Sequence, residues 1–343
     1  MAAETGKPGR GFNPPRLLKP AHVQSVLASL KLRRPFVVRQ ARPLLRRSRP
    51  HILDCGKGVR LQAWLAVQDG PAEGLAVLIH GWEGSMDSLY LLSAAGRLWR
   101  RGYDVVRLNL RDHGPTHHLN RELFNSCRIR EVVAAVAEIQ RRFNRGSPLV
   151  LGGFSLGGNF ALRVAARAPA NGVRLERVVA VSPVLHPPRT IIALETGWWL
   201  YRNYFLSKWR RSLALKLQHF PDLYDPAAVA RCRTLTELTR YFVAHHTRYD
   251  TMADYLEGYS IIGPALADLT VDATVIFSRD DPVNPSADLA RLAPSPCLAV
   301  EITDCGGHNG FFGDWQLSSW AERRMADIFD SRPETAGMFR ETA

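Results

Sequence analysis

The sequence predicts an α/β fold, with a mostly parallel central sheet flanked by helices and a helical cap inserted over it. Three observations carry the prediction. Short continuous apolar runs, the mark of strands buried on both faces, alternate with helical patterns along most of the chain. One such run, residues 149–151, ends in Gly153-Phe154-Ser155-Leu156-Gly157 and passes at once into a helical pattern of Phe160, Leu162, Val164 and Ala165. Strand, sharp turn and helix are the context in which Gly-x-Ser-x-Gly means a nucleophile elbow. The alternation stops between residue 182 and about residue 263 and then resumes, so that stretch reads as an insertion.

Taken in order, residues 1–50 are basic and proline-rich, an arm laid across the main domain with a short helical pattern at 22–30. Segments 52–54 and 60–67 alternate apolar and polar residues around Gly56 and Gly58, which suggests a hairpin. Residues 75–79 are a buried strand running into His80-Gly81-Trp82-Glu83-Gly84-Ser85, and a helix follows at 88–100. A strand at 105–110 leads to the polar loop Arg111-Asp112-His113-Gly114-Pro115, and a helix at 129–143 to the elbow strand. After a strand at 178–181 comes the insertion, unusually aromatic at 197–206 and basic and helical at 208–216. Strands at 273–277 and 298–302 and a helix at 314–329 complete the pattern. The division is therefore a basic arm at 1–50, a core at 51–181 and 264–331, a cap at 182–263 and a tail at 332–343.

The chain has 343 residues, 46% of them hydrophobic and 9% aromatic, enough for a sizeable core and too apolar for a disordered chain. Its net charge of +13 is concentrated in the arm, where no acid occurs between Glu4 and Asp54. No zinc spacing, RNA-binding sheet signature or helix-turn-helix accompanies that charge, so nucleic acid is not an expected partner. The five cysteines are scattered without a C-x-x-C pair, which argues against a disulfide framework or structural zinc and for a reducing compartment. The first residues lack the apolar core of a signal peptide, and no apolar run is long enough to span a membrane. A cytoplasmic protein is expected. Trp198, Trp199, Tyr201 and Trp209 beside Lys208, Arg210 and Arg211 read first as a cap helix with a solvated basic face, and alternatively as an interfacial helix in peripheral contact with a membrane.

A serine hydroxyl needs a base and an orienting acid to become a good nucleophile. Both can be placed. His308 lies in the Gly-rich loop Gly306-Gly307-His308-Asn309-Gly310 beyond the strand at 298–302 and is the base expected for Ser155. Asp281 and Asp280 compete for the acid in the loop after 273–277; the proline four residues beyond Asp281 favours it, and leaves Asp280 to cap the following turn. Asp304 is near His308 in sequence, but nothing places it behind the imidazole. The oxyanion donors expected are the backbone N–H groups of Leu156 and Trp82, each worth about 3–4 kcal/mol of transition-state stabilisation, with replaceable side chains. His80 is expected to brace its loop, and His113, His117 and His118 to be polar groups of theirs. A serine at the elbow argues against a dehalogenase, which needs a carboxylate there, and the mechanism calls for no metal or organic cofactor.

The chain resembles the YheT-like branch of the α/β-hydrolase superfamily. The matching pieces are Phe12-Asn13-Pro14-Pro15 with His22-Val23-Gln24, His80 to Ser85, Gly153 to Asn159, Asp280-Asp281-Pro282 and Gly306 to Phe311, spread over nearly the whole chain. The resemblance implies the α/β-hydrolase fold, a triad of Ser155, Asp281 and His308, and hydrolysis of short- or medium-chain acyl esters or monoacylglycerol-like lipids. The loop Arg111 to His118 stands where many relatives carry an Arg-Gly-Cys type of segment, and the cap is more aromatic and basic than theirs. The expected function is a serine carboxylesterase acting on a small-molecule acyl ester. An acyltransferase with the same triad and a non-catalytic ligand-binding protein on this scaffold are the alternatives.

Overall fold

The computed structural model describes Lys7–Pro8 and residues 11–331, so the 332–343 tail and most of the first ten residues lie outside it. The apolar runs form strands as expected. They are β1 (Lys7–Pro8), β2 (Arg49–Asp54), β3 (Arg60–Ala66), β4 (Leu75–Ile79), β5 (Asp104–Asn109), β6 (Leu149–Phe154), β7 (Arg177–Val181), β8 (Asp272–Ser278) and β9 (Leu298–Thr303). One sheet holds all nine in the order β1-β9-β8-β7-β6-β4-β5-β3-β2, with β1 a two-residue edge. The pairs β2–β3 and β3–β5 are antiparallel and the rest parallel.

The helices are α1 (Ala21–Ser29), α2 (Arg34–Arg47), α3 (Leu89–Arg100), α4 (Ile129–Phe143), α5 (Leu156–Ala165), α6 (Pro187–Thr196), α7 (Trp199–His219), α8 (Pro226–Arg231), α9 (Leu235–His246), α10 (Met252–Glu257) and α11 (Trp320–Asp330). Successive side chains of a strand point to opposite faces, and β4 is buried throughout because both of its faces are covered. Leu75, Val77 and Ile79 join a core with α4 and α5, while Ala76 and Leu78 join a second with α2, α3 and α11. Helices α6–α10 all fall between β7 and β8 and close over a third cluster that includes Leu194, Tyr201, Leu213, Leu235 and Phe242. Among the described residues no helix is long and apolar enough to cross a membrane.

Two elements depart from the sequence reading. The arm holds a second helix, α2, with Pro35 in its first turn and Pro43 inside it. Its basic residues obscure an apolar stripe, Val37, Ala41 and Leu44, that is buried. Ala41 sits so close to α3 that a Cβ at Gly96 would stand 3.2 Å from its Cα. The last helix starts at Trp320 rather than near residue 314, because Asp314 folds 314–318 into a turn by accepting the Ser318 N–H, and Leu317 takes a φ of +55°.

Just before α2, Arg33 pairs with Glu322 of α11 at 2.7 Å, with both side chains at 2% exposure or less, and stacks over Phe312. Removing one partner of a buried pair strands the other charge. Arg33→Ala is expected to lower stability by about 3–5 kcal/mol, measured by urea unfolding, whereas Arg47→Ala, whose pair with Asp69 is exposed, changes it by under about 1 kcal/mol.

Candidate active site

Ser155 ends β6 and begins α5 with φ +53° and ψ −120°, a strained conformation for a residue with a side chain. The turn closes because its flanking glycines touch backbone. A Cβ at Gly153 would lie 2.2 Å from the Gly157 carbonyl oxygen, and one at Gly157 would lie 2.4 Å from the carbonyl oxygens of both Ile79 and His80. The Ser155 N–H donates to Val181, which pins the elbow to the neighbouring strand.

The structure brings Ser155, His308 and Asp281 together. His308 Nε2 is 3.0 Å from Ser155 Oγ, and His308 Nδ1 is 2.9 Å from Asp281 Oδ2. The Asp281 side chain is fully buried, and its Oδ1 accepts the backbone N–H groups of Val283 and Asn284, so it can only face the imidazole. Asp280 does not cap the following turn. It accepts from Ser278 and from the Gly307 N–H at 2.9 Å, and thereby braces the histidine loop. Asp304 is turned to solvent against Arg279. The geometry allows a proton to pass from Ser155 to an imidazole whose tautomer is held by a carboxylate.

Beside the serine, Gly81 lies against Ser155, and the Gly81 N–H is held by the Tyr90 hydroxyl at 2.9 Å. Among the described residues the N–H groups of Leu156 and Trp82 have no acceptor. Leu156 is buried in the core, and Trp82 stacks on Phe205 and meets Trp209 edge-on, joining its loop to α7.

The histidines near the site are structural. His80 is fully buried, donates from Nδ1 to the Gly81 carbonyl and accepts the Leu110 N–H at Nε2. Burial pulls it down to about 4. His113 and His117 are buried too, rather than polar loop groups. His113 lies 4.9 Å from the His80 ring and is held well below its usual range by burial, and His117 meets Ser212 of α7 and is pulled down to about 4 by burial. His118 is exposed.

Sequence reasoning missed what the arm does. Ser25 of α1 accepts the His308 N–H at 2.8 Å, and the fully buried Gln24 accepts from Phe312 N–H while donating to the Phe312 carbonyl. The arm is thus part of the scaffold that sets the histidine loop. The signal was present as His22-Val23-Gln24, which matched a family pattern without showing its purpose.

An apolar cavity of about 120 Å³ opens from Ser155 beneath the cap, walled by Trp82, Phe124, Leu194, Trp209, Phe242 and Val283 among others. A dry cavity of roughly 150 Å³ takes up benzene, so this one suits an apolar group of similar size.

The buried histidines set a pH dependence. Each is neutral in the folded state at pH 5 but protonated once unfolded, where its pKa returns to near 6.5. The histidines' contribution is expected to be full above pH 6.5 and to fall as the pH drops towards 4, by about 2 kcal/mol at pH 5 for the fully buried His80, while the raised carboxyl of Glu83 acts in the opposite sense, costing stability as the pH rises from about 4.5 to 8. Urea unfolding of wild type and His117→Gln at pH 7.5 and pH 5 isolates one histidine, and the variant is expected to come out ahead of wild type in its change on acidification.

Comparison with known proteins agrees with this architecture. A family model described as the alpha/beta hydrolase family matches residues 76–322. Among curated proteins the chain is similar to the mouse (Mus musculus) phospholipase ABHD3, 24% identical over 261 residues. That match covers 72% of this chain and 61% of the relative, less than two thirds of its length. Among solved structures it is similar to the Pyrococcus furiosus esterase Pf2001, with a TM-score of 0.53, 15% identity and coverage of 82% of this chain and 90% of that one. It is also similar to Est1E of Butyrivibrio proteoclasticus, with a TM-score of 0.53, 16% identity and coverage of 81% and 97%. With the matched segment running from β4 to α11 through elbow and histidine loop, this chain belongs to the alpha/beta hydrolase family.

Proposed function

We propose that this hydrolase is a serine carboxylesterase of the YheT-like branch, cleaving short-chain acyl esters through an acyl-enzyme on Ser155. The observation that supports it most is the unbroken chain from Ser155 through His308 to Asp281 at the mouth of an apolar cavity. In this reading His308 removes the Ser155 proton as Oγ attacks the acyl carbonyl, and Asp281 stabilises the imidazolium. The oxyanion sits on the free N–H groups of Leu156 and Trp82. The alcohol leaves with the proton from His308, and water, activated by the same imidazole, releases the acid. The cavity beneath the cap takes the acyl chain. The esterase and phospholipase names of the similar proteins agree with ester chemistry.

Turnover of p-nitrophenyl acyl esters tests this directly. The rate is expected to peak at about four to six acyl carbons, given the cavity's benzene-like size, and Phe242→Ala shifts the peak towards longer chains. Ser155→Ala lowers kcat by on the order of 10⁴-fold or more. Turnover retained in Ser155→Ala defeats the mechanism. A folded wild type inert on the whole series, yet binding an acyl ester, favours the non-catalytic scaffold. Ester formation in the presence of an added alcohol favours the acyltransferase.

Contact with a membrane surface is a second part of the reading, supported by exposed apolar side chains among cations. Leu17 and Leu32 of the arm are 72% and 68% exposed, and Trp198 and Trp199 at the start of α7 are 40% and 58% exposed. The His22 ring packs 5.1 Å from Trp198, which places arm and cap side by side. Sedimentation with vesicles containing phosphatidylserine is expected at low salt, weaker at high salt and weaker for Trp198→Ala/Trp199→Ala. No sedimentation at low salt rejects membrane contact.

A further inference from the structure

The cleft at Ser155 has two chemically opposite sides. The apolar cavity is one. The other is an open groove of about 450 Å³ that Ser155 also borders, and His308 and Asn309 line this groove but not the cavity. The group that returns a proton to the departing oxygen therefore faces the groove. With the acyl chain in the cavity, the alcohol half of the substrate must lie in the groove.

Four cations from two distant segments converge on that groove: Lys31 and Arg34 of the arm, and Lys208 and Arg211 of α7. All four are exposed, and among the described residues none has a carboxylate within ion-pair distance. Lys208 meets only the Glu83 carbonyl at 3.5 Å and the Tyr204 ring. The carboxylates lining the groove are already answered. Asp112 is held by Lys216 at 2.7 Å and by the Phe124 N–H, and Asp87 faces the buried Arg107 at 3.7 Å. Burial pushes Glu83 up to about 8, so it is mostly uncharged at neutral pH. The groove thus presents four cations without a paired carboxylate among the described residues, a positive field that favours an anionic group on the ligand.

We infer that the alcohol half of the substrate carries a phosphate group, making the substrate an acyl ester of a phosphorylated polyol. The inference rests on the ester-hydrolase reading above. A phosphate offers several acceptor oxygens and up to two charges, which suits two guanidinium forks and two ammonium groups better than a single carboxylate does. The step is a hydrolysis. The Ser155 oxygen bonds to the acyl carbon, the ester C–O bond breaks, and the proton held by His308 goes to the departing alcohol oxygen. Water then frees the acid, leaving the polyol phosphate and the regenerated serine.

The test compares 1-butyrylglycerol 3-phosphate with 1-butyrylglycerol, both monomeric in water so that no membrane surface enters. Wild type is expected to favour the phosphorylated ester by at least about tenfold in kcat/KM, through KM, at low salt, with the ratio shrinking at about 500 mM NaCl. Lys31→Ala/Arg34→Ala and Lys208→Ala/Arg211→Ala are each expected to lower the ratio severalfold. A ratio near one in wild type, or one indifferent to salt and to both variants, overturns the proposal. Adding 1-oleoylglycerol 3-phosphate sorts the source: preference for it points to a lipid, and preference for the butyryl ester to a soluble metabolite. Should no ester be cleaved at all, the esterase reading fails separately, and calorimetric titration with glycerol 3-phosphate then decides the groove. Binding by wild type that both variants lose sustains the phosphate site, and no binding by wild type rejects it.

Discussion

Everything at the candidate site depends on one close approach, the start of α5 against the end of β4. Gly157 lies where any side-chain carbon would collide with the Ile79 and His80 carbonyls, and Gly153 lies equally close to Gly157. That contact lets the chain reverse within one residue and leaves Ser155 in a left-handed conformation at the top of the sheet. Such strain persists only where the surroundings over-determine it. Here the Ser155 N–H bond to Val181 and the burial of every residue in α5 do so. The same approach brings Gly81 against the serine and so fixes where the two acceptor-free amides stand relative to it.

The histidine side of the site is secured by different means. Its loop is glycine-rich, and a Cβ at Gly307 would stand 2.4 Å from the Ala21 carbonyl oxygen. The loop is therefore built to lie against α1, and it gains its hydrogen bonds there, from Ser25 and Gln24, and from Asp280 on the opposite side. A loop held from both sides can keep an imidazole within 3.0 Å of a hydroxyl without help from a ligand. Residues nearly 300 positions apart thus share one polar cluster.

Much of this was legible in the residues because it is local. Buried parallel strands announce themselves as apolar runs, and the elbow and both loop residues lie within short motifs at strand ends. The second arm helix was not legible, because its prolines and arginines mask a stripe of only three buried residues, Val37, Ala41 and Leu44. The contribution of Gln24 and the packing of Trp82 on α7 were not legible for another reason. Both arise from contacts across long stretches of chain, and no local pattern records what a side chain will meet there. His113 and His117 show the limit from the other side: a polar segment by composition is buried once α7 lies over it.

How α7 comes to lie there is itself an electrostatic matter. Lys216 is fully buried, and its ammonium is shared between the Asp112 carboxylate and the carbonyls of His117 and Asn120. Asp112, at φ +57°, is shaped to present that carboxylate. A buried pair of this kind adds little net stability compared with an apolar contact, since both charges are desolvated. What it does enforce is register. Sliding α7 by one turn would move Lys216 about 5.4 Å and leave two buried charges unpaired. Because Trp82, Phe205 and Trp209 pack along the same helix, that register also sets the width of the apolar cavity and carries Lys208 and Arg211 to the groove. The share of the cleft that α7 supplies, Phe205 and Trp209 on the apolar side and Lys208 and Arg211 on the cationic side, therefore rests on a register that Lys216 holds, away from the serine it serves.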